Sequence, residues 1–391
     1  MKKAVILSAT RTAVGSFGGS LSRIPAVQLG GAALKNAVTK AGIALDDVDE
    51  VIMGMVLQGG VGQAPARQAA KKAGIPNEKS AWTINKVCSS GLKAVMEAAG
   101  SILLGENKVV AAGGMESMSL APYFLPEARN GYRYGHGQII DMMMHDGLWD
   151  PYSDQHMGNC AELCAAEHKI TREQQDAYAL ESYRRANEAI KNGWFKEEIV
   201  PIVMPGKKGD TIIDTDEEPG RGQPEKVPTL RPAFKKDGTV TAANASSIND
   251  GGAALIVADP DWVKQKGLKP LAEIQGWSTF SLAPEWFTTA PQGAVKKLLA
   301  QLNWKIGDVD FFELNEAFAV VSIYNNRELG LDGSNVNIHG GAVALGHPLG
   351  ASGARILVTL LHILKQKGKK RGIAALCNGG GEATALAVEM V

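Results

Sequence analysis

The chain has 391 residues, which is too long for one ordinary hydrophobic core, so we expect two domains or one duplicated domain. Its 41 basic residues balance its 41 acidic residues, and this neutrality argues against a broad surface for nucleic acid or membrane. No run of about 18 apolar residues occurs, so we expect no membrane-spanning segment.

Four cysteines, at positions 88, 160, 164 and 377, are too few for a disulfide framework in so long a chain. We therefore expect a reducing, cytoplasmic environment. The apolar run at residues 4–7 predicts a buried strand and is too short for the hydrophobic region of a signal peptide.

The first part of the chain alternates predicted strands and helices. We expect a helix at residues 27–41, and strands at 4–7, 51–55 and 108–112, the last of them ended by Gly113-Gly114. A second helix is predicted by the i, i+3, i+4, i+7 spacing of Leu92, Val95, Met96 and Ala99. This alternation predicts a mostly parallel, buried sheet.

The middle of the chain, from about 115 to 239, is richer in Pro, Tyr, Met and charge. Two irregular stretches, 122–155 and 205–236, flank predicted helices at 159–168 and 172–192, and Thr171 is expected to cap the second helix. Long irregular stretches in a compact protein are usually functional, so we expect an insertion that covers a site.

The strand–helix alternation resumes near residue 271, with strands expected at 310–314 and 373–377 and a helix at 354–364. A Ser-Gly pair opens a helix in each half, at Ser90-Gly91 and at Ser352-Gly353, and a strand and a glycine cluster follow each helix. A duplicated βαβ unit is the simplest explanation. The alternative is that Ser-Gly before a helix is a common local pattern.

Cys88 lies in the segment NKVCSSG, directly before a predicted helix. A thiol there feels the positive end of the helix dipole, so we expect a lowered pKa and a nucleophilic sulfur. The free N–H groups of the helix start also suit an oxyanion. A small buried hydrophobic cysteine is the alternative.

Three further segments carry candidate chemistry. Cys377 ends a strand and runs into three glycines, where the backbone can approach a ligand closely; a P-loop would need a Lys-Ser/Thr pair. His347 lies in the glycine-dense loop GGAVALGHPLGASG and suits a general base or an oxyanion donor, or it is a plain surface residue. Asn315 follows a strand, where it would cap a helix or hold a water or a carbonyl.

Cys160 and Cys164 lie on one face of a predicted helix, with His156 and His168 nearby. A zinc site would need a complete set of close ligands, so we favour two core cysteines and no metal.

Together, the Cys88 segment, residues 315–319, residues 340–355 and residues 377–381 resemble the thiolase family, in family order and over essentially the whole chain. The similarity is greatest to the short-chain, biosynthetic branch, and Asp146-Gly147-Leu148 and His156-Met157-Gly158 support that branch. The resemblance implies an α/β thiolase fold with five αβαβα layers built from two similar mixed-sheet halves. Residues 1–120 with 245–270 would form the N-terminal half, 121–244 an inserted lid domain that binds CoA, and 271–391 the C-terminal half.

The resemblance also implies roles for individual residues. Cys88 would be acetylated, Cys377 would exchange a proton with the second acetyl-CoA, and His347 would activate Cys88 and donate to the thioester oxygen. Asn315 would hold a water in this first oxyanion hole, and the N–H groups of Cys88 and Gly379 would form a second hole.

Residues for CoA follow from the same resemblance. Ser246 would contact the pantetheine and Arg221 the nucleotide, and the tunnel would be lined by Leu148, His156, Met157, Phe234, Ala317 and Phe318. Phe287 stands where biosynthetic enzymes commonly carry methionine and potassium-activated relatives carry phenylalanine. The tyrosine of those potassium sites is replaced here by Glu218 or Pro219, so we expect altered room near the substrate α-carbon but no potassium requirement.

The implied activity is that of an acetyl-CoA C-acetyltransferase, which reversibly condenses two acetyl-CoA into acetoacetyl-CoA and CoA. These thioesters would be substrates, without a cofactor or metal, and the protein would be a homotetramer, a dimer of dimers. The alternative is a 3-ketoacyl-CoA thiolase of broader chain length in β-oxidation. A ketoacyl synthase would lack the second catalytic cysteine, and a non-catalytic carrier would have lost the nucleophile.

Overall fold

The structure is a computed structural model that describes residues 2–206 and 209–391. In chain order its strands are β1 Val5–Thr12, β2 Gly15–Ser16, β3 Glu50–Gly54, β4 Ser80–Ile84, β5 Val109–Ser117, β6 Tyr123–Phe124, β7 Ile140–Asp141, β8 Trp149–Asp150, β9 Gln155–His156, β10 Ile199–Val200, β11 Ile202–Met204, β12 Thr211–Ile213, β13 Asn249–Ala258, β14 Ala272–Ser281, β15 Phe311–Leu314, β16 Arg371–Asn378 and β17 Glu382–Met390. Its α-helices are α1 Ala26–Ala41, α2 Pro65–Ala73, α3 Ser90–Leu104, α4 Met157–Glu167, α5 Arg172–Lys191, α6 Glu218–Arg221, α7 Pro260–Gln265, α8 Ala290–Leu302, α9 Ala319–Leu329, α10 Ala342–Leu345 and α11 Leu349–Lys367.

The main sheet runs in the order β15-β16-β17-β14-β1-β13-β5-β3-β4. Its two halves meet where β1 and β14 pair over only two residues on each strand. The expected mostly parallel sheet is wrong, because among the strand pairs of the described residues only β3–β4, β3–β5, β15–β16 and the short β1–β10 pair are parallel. Strand β17 follows β16 through a tight glycine turn, and such a hairpin is necessarily antiparallel. The sheet is therefore mixed, as the family resemblance implied.

Helices α3 and α11 lie between the two half-sheets and share one large apolar cluster with them. Helices α1 and α2 cover the outer face of the β1–β13–β5–β3 half, while α8 covers the outer face of the other half. These are the five expected αβαβα layers. The stretch Val87–Leu104 is apolar enough in length and composition to cross a membrane, but its residues 90–104 form the core helix α3.

The repeated Ser-Gly pairs mark the place where the two central helices cross. A Cβ added at Gly91 would lie 2.8 Å from the backbone nitrogen of Ala354, and one at Gly353 would lie 2.4 Å from the backbone nitrogen of Leu92. Each helix therefore needs its glycine for the other helix to approach. This reciprocal contact supports the duplicated βαβ unit.

Two predicted boundaries differ from the structure for a related reason. Strand β5 continues through Gly113-Gly114, and α11 begins at Leu349, five residues before the expected start at residue 354. A Cβ at Gly114 would lie 2.0 Å from the carbonyl oxygen of Gly350. Gly114 therefore admits the first turn of α11 instead of ending a strand.

The middle of the chain contains helices α4 and α5 near their predicted positions, and Thr171 caps α5 as expected, its side chain accepting from the N–H of Gln174. The stretches predicted to be irregular contain the hairpin β6–β7, strand β8 with the start of its partner β9, strand β12, whose partner β11 directly precedes the second stretch, and a π-helical turn, Met143–Leu148. Strands of two or three residues leave too short a pattern to be recognised in a sequence.

Candidate active site

Cys88 lies in the loop between β4 and α3. Its neighbour Val87 has a φ of 48°, a left-handed conformation that strains a β-branched residue. Hydrogen bonds hold it there: its N–H donates to Oδ1 of Asn85 at 2.9 Å, and its carbonyl accepts from the Ser90 hydroxyl at 2.6 Å. This loop therefore presents the Cys88 sulfur in a fixed direction.

The thiol of Cys88 is not the activated thiolate that the helix dipole predicted. Burial raises the pKa of Cys88 to about 12, although the nearby backbone N–H groups of Gly379 and of Cys88 itself oppose this rise. The expectation of a lowered pKa is therefore wrong, because desolvation outweighs the helix terminus. The resting sulfur is a thiol, and it needs a base to become a nucleophile.

His347 lies between α10 and α11, and its backbone N–H donates to Oδ1 of Asn249 at 2.8 Å. Its Nδ1 lies 2.6 Å from Oγ of Ser352, and that hydroxyl donates its own proton to the carbonyl of Pro348 at 2.9 Å. Because the Ser352 proton is already used, Nδ1 must carry the hydrogen and donate to Ser352. The unprotonated Nε2 is then a free base, and it is buried without a hydrogen-bond partner.

Burial, followed by the nearby charge of Arg355, lowers the pKa of His347 to about 3. The imidazole is thus neutral at physiological pH. A neutral histidine with a free Nε2 is the form that accepts a proton.

Cys377 and Asn315 lie at the carboxyl ends of the parallel neighbours β16 and β15, where the N–H of Asn315 donates to the carbonyl of Ala375 at 3.0 Å. Cys377 is 1% exposed, and burial and the nearby Cys88 raise its pKa well above the ordinary value. Both side-chain amide atoms of Asn315 are buried without a hydrogen-bond partner. Asn315 therefore has its full donor and acceptor capacity free for a ligand or water.

An apolar cavity of about 230 Å³ contains most of the expected site residues. It is lined by Cys88, Leu148, His156, Met157, Phe234, Ser246, Phe287, Ala317, Phe318, His347 and Gly379. The remaining lining residues are Met118, Met144, Gly147, Ala245, Ser247, Ile248 and Leu349. The chain therefore brings one thiol, one imidazole and a backbone N–H to a single narrow, apolar space.

Three expected site residues lie outside this lining. Cys377 belongs to the apolar cluster that also holds the cavity residues Phe287 and Phe318, and Cys88 lies close enough to raise the pKa of its thiol. Asn315 lies next to it at the strand ends. Arg221 lines a separate cavity of about 230 Å³, together with residues of the 224–230 and 242–243 segments.

Glu116 is a site residue that sequence reasoning missed. This buried carboxylate at the end of β5 accepts the N–H groups of Val56 at 3.0 Å and Gly350 at 2.8 Å, and so fixes the start of α11. Burial raises its pKa to about 7. The available signal was an acidic residue directly after the apolar, glycine-containing run of β5.

The cysteines of α4 pack in the core. Cys160 and Cys164 are both fully buried in an apolar cluster, and burial raises the pKa of each thiol to about 11. His156 instead stacks on Phe234 with ring centroids 4.6 Å apart. Within residues 2–206 and 209–391, no three His, Cys, Asp or Glu side chains converge as a metal site would require.

Taken together, the geometry suits acyl transfer through a thiol. A neutral base stands ready for the Cys88 proton, the Gly379 N–H faces the sulfur, and a second buried thiol lies beside it. The apolar walls exclude water, which strengthens each of these interactions.

Comparisons with known proteins agree with this geometry. Family models described as "Thiolase, N-terminal domain" and "Thiolase, C-terminal domain" match residues 4–261 and 268–390. The chain is 52% identical to acetyl-CoA acetyltransferase 2 of Arabidopsis thaliana, covering 99% of the chain and 96% of that relative. It is 51% identical to the acetyl-CoA acetyltransferase of Cupriavidus necator, covering 100% of both. The crystal structure of Acat5 thiolase from Ascaris suum in complex with coenzyme A has a TM-score of 0.95 at 45% identity, covering 100% of both chains.

Proposed function

The chain belongs to the thiolase family and is an acyltransferase of the acetyl-CoA acetyltransferase type, and we propose that Cys88, His347 and Cys377 carry out its reaction. The reaction joins two acetyl-CoA into acetoacetyl-CoA and CoA, and it runs in both directions. One observation carries the residue assignment: Cys88, the neutral His347 and Gly379 line a single cavity.

In the first half-reaction, Nε2 of His347 accepts the Cys88 proton while the sulfur attacks the thioester carbon of the first acetyl-CoA. The N–H groups of Cys88 and Gly379 stabilise the oxyanion of the tetrahedral intermediate, where each such donor is worth about 2.7–4 kcal/mol. The CoA sulfur leaves with the proton of Cys377. The products are acetyl-Cys88, a protonated His347, a Cys377 thiolate and free CoA.

In the second half-reaction, the Cys377 thiolate takes a proton from the methyl group of the second acetyl-CoA. That C–H is a very weak acid, and a thiol whose pKa is raised well above the ordinary value gives a correspondingly strong base. The enolate oxygen faces Nε2–H of His347 and a water held by Asn315. The enolate carbon then attacks the acetyl group, and Cys88 leaves and recovers its proton from His347.

Coenzyme A would enter along Leu148, Met157 and Ser246, and Arg221 would meet its nucleotide end. The separate cavity beside Arg221 also contains Lys226, which supports an anionic ligand there. The solved relative from Ascaris suum contains coenzyme A. CoA thioesters would act as substrates only, and the proposed steps use no cofactor or metal.

The dimensions of the cavity support a short acyl chain. Phe287 is 2% exposed and lies 6.4 Å, centroid to centroid, from Phe318, so two aromatic rings restrict the space beside the reacting sulfur. The broader chain-length alternative would need room beyond these rings.

Substrate profiling tests the proposed chain length. We expect CoA-dependent thiolysis of acetoacetyl-CoA, and little thiolysis of a long-chain 3-ketoacyl-CoA. Activity on 2-methylacetoacetyl-CoA would make Phe287 the residue that sets room near the α-carbon, and Phe287→Met would then change that ratio. A preference for the long chain would overturn the assignment, and Cys88→Ala provides the inactive control.

Exposed apolar surface supports assembly of the chain into a homotetramer. The edge strand β4 carries Trp82, which is 37% exposed, and an unpaired edge strand favours pairing with a second copy. The arm at residues 121–141 exposes Tyr123, Tyr134 and Ile139, which a further interface would cover. Light scattering measures the assembly, and a monomer at micromolar concentration would contradict it. The four free cysteines support a cytoplasmic location.

A further inference from the structure

The loops that carry Cys88 and Gly379 are joined by buried side chains that the proposed reaction does not use. The Ser89 hydroxyl donates to Oδ1 of Asn378 at 2.7 Å, and the Thr384 hydroxyl donates to Ser89 at 3.0 Å. Ser89 is 0% exposed and Asn378 is 1% exposed. Because the amide oxygen of Asn378 can only accept, Ser89 must donate its proton to it, and Thr384 must then donate to Ser89.

The amide of Asn378 also holds the glycine turn on its other side. Its Nδ2 donates to the carbonyl of Gly379 at 2.8 Å and to Oε2 of Glu382 at 3.3 Å. Glu382 forms an ion pair with Lys86 on the Cys88 loop. Burial opposes ionisation, but the hydrogen bonds from Lys86 and Asn378 leave the pKa of Glu382 below its ordinary value, so Glu382 is a carboxylate at neutral pH.

These contacts close a ring around the reacting atoms. Lys86 and Ser89 stand on either side of Cys88 in the chain, while Asn378 and Glu382 stand on either side of Gly379. The Gly379 turn has little stiffness of its own, because Gly380 and Gly381 follow with φ of 88° and 79°. The Gly379 N–H belongs to the peptide group that Asn378 forms with Gly379, and the Asn378 side chain is anchored to Ser89 and to the next carbonyl, that of Gly379. The backbone on both sides of this N–H is therefore tied to the Asn378 side chain.

We propose that Ser89 and Asn378 are a positioning pair, whose hydrogen bond holds the Gly379 backbone beside Cys88 in the cavity during acyl transfer. This inference rests on the proposed function, since the oxyanion of that reaction forms between the same two groups. Neither residue touches the substrate. They act by joining two loops that are 289 residues apart in the chain.

A double-mutant cycle tests the pair. Ser89→Ala, Asn378→Leu and the double variant are compared in the rate of CoA release from acetyl-CoA, the KM for acetyl-CoA and the thermal midpoint. We expect each single variant to lower the rate by about ten-fold with a KM within about two-fold, because a displaced donor weakens the transition state more than substrate binding. The double variant should be no slower than Asn378→Leu alone, since that variant has already lost the Ser89–Asn378 bond together with the other Asn378 bonds. Thr384→Val is the control, because it removes a neighbouring buried hydroxyl and leaves the Ser89–Asn378 bond intact.

The outcomes separate this inference from the proposed function. Failure of the unmutated enzyme to release CoA and acetylate Cys88 would overturn the proposed function. If the unmutated enzyme is acetylated, either of two results would overturn the positioning pair. One is that the single variants are as fast as the unmutated enzyme. The other is that the rate losses of the single variants multiply in the double variant. A fall in thermal midpoint without a fall in rate would also overturn it, since it would show a purely structural bond.

Discussion

Replacing Ser352 by alanine removes the hydroxyl that accepts the Nδ1 proton of His347. The imidazole then has no partner for Nδ1, and it is free to rotate or to carry its proton on Nε2 instead. In that second tautomer Nε2 has no lone pair for the Cys88 proton. The substitution therefore acts on the base without touching the cavity wall.

The size of the effect follows from the burial of the bond. His347 is 5% exposed, and an unpaired buried donor costs about 1–3 kcal/mol. If this cost falls on the acylation transition state, the rate falls by about five- to 150-fold. The KM for acetyl-CoA should stay within about two-fold, because no residue that lines the cavity is changed.

The assay is single-turnover release of CoA from acetyl-CoA, together with the midpoint of urea unfolding. Ser101→Ala is the matched control, since Ser101 is also a buried helical serine that donates to a backbone carbonyl, that of Ala98 at 3.1 Å. Both variants should lose similar stability, while only Ser352→Ala should lose rate. Equal rates in the two variants would refute the assignment of the His347 tautomer.

Two other predictions concern stability. Burial, with a smaller effect of the Lys367 charge, lowers the pKa of His339 to about 4, so its contribution to stability is present above its unfolded pKa of about 6.5 and is lost as pH falls. When the pH falls from about 7.5 to about 5.5, the free energy of unfolding, measured with urea, should therefore fall by about 1.4 kcal/mol less in His339→Gln than in the unmutated protein. Equal falls in the two proteins would contradict this. Gly114→Ala should destabilise by about 3 kcal/mol or more, because its Cβ would meet the Gly350 carbonyl oxygen at 2.0 Å. The control Gly100→Ala, which meets no atom within 4 Å inside α3, should gain up to about 1 kcal/mol, and equal effects would refute the role of the α11 crossing.

The sequence predicted the alternation of strands and helices, and it predicted the segments that carry the candidate catalytic residues, because each of these is a local pattern. It could not predict how the segments meet. The helix dipole at Cys88 is local and indicated a lowered pKa, whereas the desolvation that raises the pKa comes from walls contributed by distant segments. Likewise, Gly113-Gly114 was expected to end a strand, but the strand continues and Gly114 leaves the space in which α11 packs against it.

The contacts that hold the site together could not be predicted from patterns in the sequence. Ser89 and Asn378 look like ordinary neighbours of two cysteines, and only the folded chain pairs them. Glu116 is similar, because its role depends on N–H groups from two other segments. A single sequence identifies side chains that can do chemistry, but the donors that orient them come from the fold.

The site of acetylation tests most directly the proposal that Cys88 is the nucleophile and Cys377 the base. The unmutated protein, Cys88→Ala and Cys377→Ala are each mixed with acetyl-CoA, and the modified peptide is identified by mass spectrometry. The proposed mechanism predicts one acetyl group on Cys88 in the unmutated protein and none in Cys88→Ala. In Cys377→Ala, Cys88 should be acetylated more slowly, because CoA leaves without the Cys377 proton, and the acetyl group should then accumulate because the carbon–carbon bond cannot form. Acetylation of Cys377, or an unmodified Cys88 in a protein that still forms acetoacetyl-CoA, would contradict it.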